Sequence, residues 1–333
     1  MMVFIGLGIL FGGVALSISA TCRAWHLQGR TLERTVTLAV GCACATVCAA
    51  TAVFVLNGVR IFQGREAPVP DMELAATPEQ LQRGAAIASA YCSKCHTKAE
   101  SLAGGQRFDA NFPLPVGSFV AANLTPAGEL RGWSDGQIFR AIRNSLDAHG
   151  HWLIVMSYSD ASRLSDSDIK AVIAYLRSLP ARGAPTAHPP DSLNLLGLFL
   201  LGSGQLSTGK PVFNGVITAP PAGVSAAYGK YLVSYQDCDE CHGRDLTGGD
   251  AGQEPPAGPD LNWVKSWNGE EFIRALRTGT DPGGHPMGAR MPWCAVGRMS
   301  DDELSAIYEY LTHLDATRQV AARARRSGIV GPL

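Results

Sequence analysis

The chain has 333 residues, with 28 lysines and arginines against 29 aspartates and glutamates for a formal net charge of −1. That length suits two domains with additional segments. Sparse and balanced charge excludes a highly charged disordered tail protein and leaves no electrostatic footprint for nucleic acid.

Two apolar runs open the chain. Met2 to Ala20 is uncharged, and Thr35 to Val59 is a second uncharged run. Each reaches the roughly 20 residues that cross a hydrocarbon core. Between them, Cys22 to Arg34 carries Arg23, Arg30 and Arg34. The start, Met1-Met2-Val3-Phe4, lacks the basic n-region of a cleavable signal peptide. Residues 1–60 therefore read as a two-helix membrane anchor, its arginine-bearing loop cytoplasmic by the positive-inside rule. Everything after residue 60 then faces outward, although Arg60 and Arg65 weaken the charge asymmetry. Cys42, Cys44 and Cys48 have no histidine or carboxylate beside them and read as small packing residues between helices.

Residues 61–76 form a short linker with Pro68, Pro70 and Asp71. Thr77-Pro78-Glu79 opens a helix, since threonine caps, proline suits the first turn and glutamate favours the positive helix end. That helix leads to Cys92-Ser93-Lys94-Cys95-His96, which is repeated as Cys238-Asp239-Glu240-Cys241-His242. C-x-x-C-H is the attachment signature of c-type haem. Two thiols three positions apart lie on one side of a helical turn and can each add to a vinyl group, while the histidine lies under the iron. A single C-x-x-C would leave redox or zinc chemistry open; two C-x-x-C-H motifs imply two covalent haem c groups.

The motifs sit in an internal repeat. Trp133 to Arg143 matches Trp267 to Arg277 without a gap, and Leu164-Ser165-Asp166 matches Met299-Ser300-Asp301. The helices that follow, Ala171 to Leu179 and Ala306 to Leu314, repeat as well, with apolar residues at helical spacing and a Ser-Asp pair at the start. Repetition at this length means two copies of one domain: unit 1 over residues 77–183 and unit 2 over 221–316. The linker 184–220 carries an apolar patch from Leu193 to Leu201, too short to span a membrane. It is expected to pack across both domains or to meet a partner subunit. Residues 317–333 read as a basic C-terminal tail.

Candidate sixth ligands are His149, His151 and Met156 in unit 1, and His285, Met287, Met291 and Met299 in unit 2. Aligning Leu164 with Met299 sets Met156 opposite Met291 and His151 opposite Pro286. In that frame the units share a methionine and no histidine, and Met299 is a core position. The expected metal ligands are therefore His96 with Met156 and His242 with Met291. A thioether ligand raises the reduction potential, and a six-coordinate iron has no vacancy for substrate.

Both units resemble class I cytochrome c domains. The helix before each motif contains a glycine (Gly84, Gly229), and the last helix carries an aromatic residue (Tyr175, Tyr310). In that fold these two helices cross closely. The segment Pro115 to Phe119 followed by Asn123-Leu124-Thr125-Pro126 is similar to the cytochrome c subunits of membrane-bound alcohol and gluconate dehydrogenases. Those typically carry three haems and this chain two, behind a two-helix anchor. The resemblance implies that a proline carbonyl orients the proximal histidine; Pro259 fits that place, with Pro115 as the expected counterpart in unit 1. It also implies export, because haem c is attached outside the bacterial inner membrane.

The expected architecture is thus mainly α, with two transmembrane helices followed by two tandem class I cytochrome c domains. The expected function is electron transfer on the outer face of the bacterial inner membrane. Electrons would pass between a dehydrogenase or quinol-oxidising complex and an oxidase or soluble cytochrome, with membrane redox-complex subunits as partners and no nucleic acid. Rival readings are a dihaem redox enzyme, peroxidase-like or thiosulfate-oxidising, and a cytochrome c subunit of a haem-copper oxidase.

Overall fold

The structure, a computed structural model, describes residues 31–97, 101–186, 191–250 and 257–314, with isolated positions before residue 24. The first of the two expected transmembrane helices and the basic C-terminal tail lie outside the described residues. The second expected helix is α1 (Thr31–Gln63), 33 residues, or about 50 Å at 1.5 Å per residue. Its stretch Arg34–Gln63 is long and apolar enough to cross a bilayer. Cys42 and Cys44 on α1 are exposed and Cys48 is half-buried; the helix they were expected to pack against lies outside the described residues.

In unit 1, α2 (Pro78–Ile87) starts at a Thr77–Gln80 capping box. It passes through a wider π turn at Ala88–Cys92 into the single turn α3 (Ser93–His96). Then come α4 (Asp135–Asn144), α5 (Ile154–Tyr158) and α6 (Asp166–Ser178), with Ser134 and Ser165 capping α4 and α6. Strands β1 (Gly117–Phe119) and β2 (Asp191–Leu193) pair antiparallel, Gly117 opposite Leu193. After β2 comes α7 (Leu195–Gly202). Unit 2 comprises α8 (Ala226–Tyr235), α9 (Cys238–His242), α10 (Gly269–Thr278), α11 (Trp293–Val296) and α12 (Asp301–Thr312). Its helices are capped in the same way, by Ser225, Asn268 and Ser300.

The repeat extends to packing. At Gly84, where α2 crosses α6, a side chain would put its first carbon 2.0 Å from the Ala171 carbonyl oxygen and 2.8 Å from Tyr175 Cβ. At Gly229, where α8 crosses α12, the same carbon would lie 1.8 Å from the Ala306 oxygen and 2.9 Å from Tyr310 Cβ. Both helix pairs feed one continuous hydrophobic core that draws on both units, including Ile87, Leu164 and Ile173 with Leu232, Leu304 and Leu311. A second core cluster belongs to unit 1 and its surroundings: Val55 of α1 meets Phe119, Trp152, Leu193 and Leu198 there. The apolar patch Leu193 to Leu201 therefore packs on α1 and unit 1, not across both domains. Close backbone contact with α1 draws it there.

An ion network joins the units. Arg83 on α2 donates to both carboxylate oxygens of Asp168 at 2.8 Å, and to Glu303 of α12 at 2.5 Å. Burial works against the guanidinium charge, but the bonds and charge of Asp168 outweigh it and raise its pKa. Tyr231 of α8 completes the network, donating to Asp168 at 2.5 Å and accepting from the Ser165 N–H at 2.9 Å. The Asp168 and Glu303 side chains are only 9% and 10% exposed. Replacing Arg83 by leucine strands two buried carboxylates against each other and is expected to lose about 3–5 kcal/mol of stability, measured by urea unfolding. Adding Asp168→Asn and Glu303→Gln should recover most of it.

Candidate functional site

Each motif opens onto a cavity. In unit 1, Cys92, Cys95 and His96 line a cavity of about 160 Å³ with Leu130, Ile138 and Met156. In unit 2, Cys238, Cys241 and His242 line one of about 810 Å³ with Trp267, Phe272 and Met291. The second falls in the usual range for a cofactor-sized apolar site.

The two histidines are held alike. His96 Nδ1 donates to the Ala122 carbonyl at 2.8 Å, and His242 Nδ1 to the Pro259 carbonyl at 2.7 Å. In the neutral ring this leaves Nε2 with the lone pair, which is the tautomer a metal ligand needs. Burial lowers both pKa values, opposed by the carbonyl bonds, and favours the neutral ring. Pro115 is therefore not the counterpart of Pro259; Ala122 is. The hydrogen-bonding frame repeats around them: Gly104 and Gly248 N–H groups both donate to the motif histidine's carbonyl at 2.9 Å, and Leu124 bonds Leu102 as Leu261 bonds Leu246. The sequence signal was the pairing of Asn123-Leu124 with Asp260-Leu261. A carbonyl oxygen needs no particular side chain, so the role carries no proline signature in unit 1.

Burial also pushes the Cys92 and Cys238 thiols up to about 12, and raises Cys95 and Cys241. Thiols held in that form are poor thiolate ligands and poor dithiol redox centres. A cofactor carrying two vinyl groups, with a metal bound through one imidazole nitrogen, fits this donor set. In unit 2 the loop behind the histidine is packed tightly on it, since a side chain at Gly258 would put its first carbon 2.8 Å from His242 Nδ1.

Of the opposite-side candidates in unit 1, only Met156, on α5, lines the cavity. His151 lies outside it, its Nδ1 3.1 Å from Asp147. His285 makes the same contact with Asp281 at 3.1 Å. Backbone bonds agree: Asp147 bonds the His151 carbonyl as Asp281 bonds that of His285, and Gly150 pairs with Gly284. His151 thus stands opposite His285 and not Pro286. A one-residue insertion falls after this hairpin, so the register that aligns Leu164 with Met299 does not extend back through it. Unlike His151, His285 lines its cavity, together with Met287 and Met291. Met287 occupies the place of Leu153 in the repeated hairpin, bonding Gly279 as Leu153 bonds Ser145. Met291 sits beside Pro292, which caps α11. Met299 lies in the core, its sulfur 3.7 Å from Gln236 Nε2.

Three residues that the motif reading passed over line both cavities: Lys94, Ser159 and Asp237. Asp237, immediately before the second motif, has a left-handed backbone (φ 60°) unusual outside glycine. It accepts from the Tyr91 hydroxyl at 3.0 Å and from the Asp160 N–H at 2.6 Å. Lys94 Nζ lies 3.6 Å from the same carboxylate, 4.6 Å over the Tyr91 ring, and donates to the Gln236 carbonyl at 2.8 Å. Tyr91 and Asp237 precede their motifs at equivalent positions, so the repeat meets itself here. No periodicity announces such a contact; it exists only once the units are docked. Asp160 is fully buried behind it, held by Lys210 and Arg163, and burial still raises its pKa.

Residues 226–315 match the family model for cytochrome c, and residues 79–176 that for cytochrome c oxidase, cbb3-type, subunit III. Among curated relatives, the fructose dehydrogenase cytochrome subunit of Gluconobacter japonicus is 26% identical over 80% of this chain and 59% of its own length. The alcohol dehydrogenase (quinone) cytochrome c subunit of Gluconacetobacter polyoxogenes is 26% identical over 72% and 58%. The gluconate 2-dehydrogenase cytochrome c subunit of Pantoea cypripedii is 25% identical over 71% and 60%. The chain spans about three fifths of the length of these relatives.

Asp191 on β2 also lines the first cavity, accepting from the Val155 N–H at 3.2 Å. Burial, only partly offset by backbone N–H groups, raises its pKa from 3.8 to about 6. The folded state therefore holds a proton that the unfolded state releases, so this group's contribution is present below pH 4 and lost as pH rises through 6. Asp191→Asn, which keeps an acceptor without the charge, should remove that loss and add about 2–3 kcal/mol at pH 7. Unfolding curves of both proteins at pH 4 and pH 7 test it: the two should converge at the lower pH.

Proposed function

With cytochrome c domains in both halves of the chain, we propose that this protein is a membrane-anchored dihaem electron carrier. Its haem domains lie on the outer face of a bacterial inner membrane. It relays single electrons between a dehydrogenase or quinol-oxidising complex and an oxidase or soluble cytochrome. The observation that carries this reading is the shared wall: two motif-bearing cavities with Lys94, Ser159 and Asp237 between them.

Haem c, where bound, supplies one-electron chemistry at its iron. Cys92 and Cys95, and Cys238 and Cys241, would hold it through thioether links. His96 and His242 would ligate through Nε2, with the Ala122 and Pro259 carbonyls fixing the ring orientation. Met156 and Met291 are the proposed opposite ligands. With both positions filled, neither site has room for substrate, and this separates the reading from a dihaem enzyme. Lys94 and Asp237 hold opposite charges at the junction, where each biases the adjoining sites in a different sense.

The partner reading leans on the relatives that run through both units, which are dehydrogenase subunits by name. The match of unit 1 to a cbb3-type oxidase subunit favours a second reading, an oxidase-linked cytochrome subunit. Isolation of the native membrane complex separates the two by the enzyme that accompanies this chain.

A pyridine haemochrome assay should give two haems c per chain. Both ferric sites should show the near-infrared methionine–iron band, and Met291→Ala should admit carbon monoxide to the second site. Carbon monoxide binding to the unaltered protein would overturn the ligand assignment. In redox titrations Asp237→Asn should raise, and Lys94→Met lower, the midpoint potential of at least one site. The expected size is a several-fold change in its electron-sharing constant, where tenfold is ~59 mV for one electron. Shifts of the same sign in both variants would remove the electrostatic role of the junction.

A further inference from the structure

Helix α7 has no role in either cavity. Eight residues long, it lies in a stretch, Ser192 to Leu206, without a single charge. It runs antiparallel to the last turns of α1 in backbone contact. A side chain at Gly58 would put its first carbon 1.9 Å from the Leu198 carbonyl oxygen, and one at Gly202 would put it 1.8 Å from that of Phe54. Asn57 Nδ2 donates to the Gly202 carbonyl at 2.8 Å, and the Phe54 and Phe199 rings meet edge-on at 5.6 Å. Small residues that let helices approach this closely are typical of packing in lipid.

The depth of this contact can be read along α1. From Arg34 to Arg60 the helix rises about 39 Å, close to a hydrocarbon core with part of its headgroup layers. If Arg60 marks the outer charged boundary, Gly58 lies about 3 Å inside it and Phe54 about 9 Å inside. That is the depth at which interfacial helices sit. The exposed surface of α1 at this level is apolar, Val53 being 64% exposed and Leu56 48%, and the surface of α7 continues it up to the boundary, where Leu196, beside Arg60 in this register, is 39% exposed. The turn after α7 satisfies its own backbone donors, with Ser203, Gly204, Gln205 and Leu206 N–H groups all bonded to carbonyls of Phe199, Leu200 and Leu201. Lipid requires that of any chain that enters it.

We propose that α7 and its following turn dip into the outer interfacial layer of the bilayer beside α1 and seat unit 1 on the lipid surface. The inference rests on reading α1 as a membrane span. Continuity with the exposed apolar face of α1 and the absence of charge select lipid as the occupant over a protein partner.

Benzoylphenylalanine placed singly at positions 196, 53 and 216 of the full chain, photolysed in inner-membrane vesicles, tests it. Val216 is 76% exposed in the linker, on no membrane-length helix, and serves as the aqueous control. The expected result is lipid adducts at 196 and 53 and none at 216. A lipid adduct at 53 with only protein adducts, or none, at 196 overturns the α7 seat and leaves α1 as a span. Absence of lipid adducts at both positions overturns both readings. A protein adduct at 196 to a second copy or another subunit identifies the true occupant.

Discussion

The two close helix crossings, α2 on α6 and α8 on α12, are the constraint from which the rest follows. Each leaves no room for a side chain on the helix that leads to a C-x-x-C-H motif. The motif turn is thereby fixed against the last helix of its unit, and the cavity forms in the angle between them. Only then can a loop carbonyl meet the histidine, Ala122 in one unit and Pro259 in the other. Overpacking at such a crossing would force the pair apart and displace every wall of the site at once.

Much of this was legible before any coordinates. The motifs, the capped helices and the crossing glycines all stand at positions that local rules address. What escaped were features that depend on where the chain goes next. Ala122 supplies only a backbone oxygen, which has no residue signature. The frame that aligned Leu164 with Met299 was right for the last helices but concealed a one-residue insertion, so the Asp147–His151 and Asp281–His285 hairpins were not recognised as equivalents. The patch around Leu198 read as a surface seeking a partner because its partner, α1, lies some 140 residues earlier in the chain.

The junction between the cavities belongs to the same class of hidden feature. Tyr91, Lys94 and Asp237 are unremarkable residues singly, and the left-handed backbone of Asp237 is tolerated because docking provides its carboxylate with donors on two sides. A charged pair in a partly buried wall interacts more strongly than one in water. That makes this wall a place where single charges register on both halves of the molecule.

Arg83 carries a different implication. It is one cation serving two carboxylates, Asp168 in its own unit and Glu303 in the other. The halves arose as copies, yet they are no longer spare parts: a lone second unit would keep only the Ser300 cap on Glu303 and lose its cation, and a lone first unit would lose the core it shares. Each copy now supplies part of what holds the other together. A lineage that discarded one copy would first have to rewrite the surface of the other.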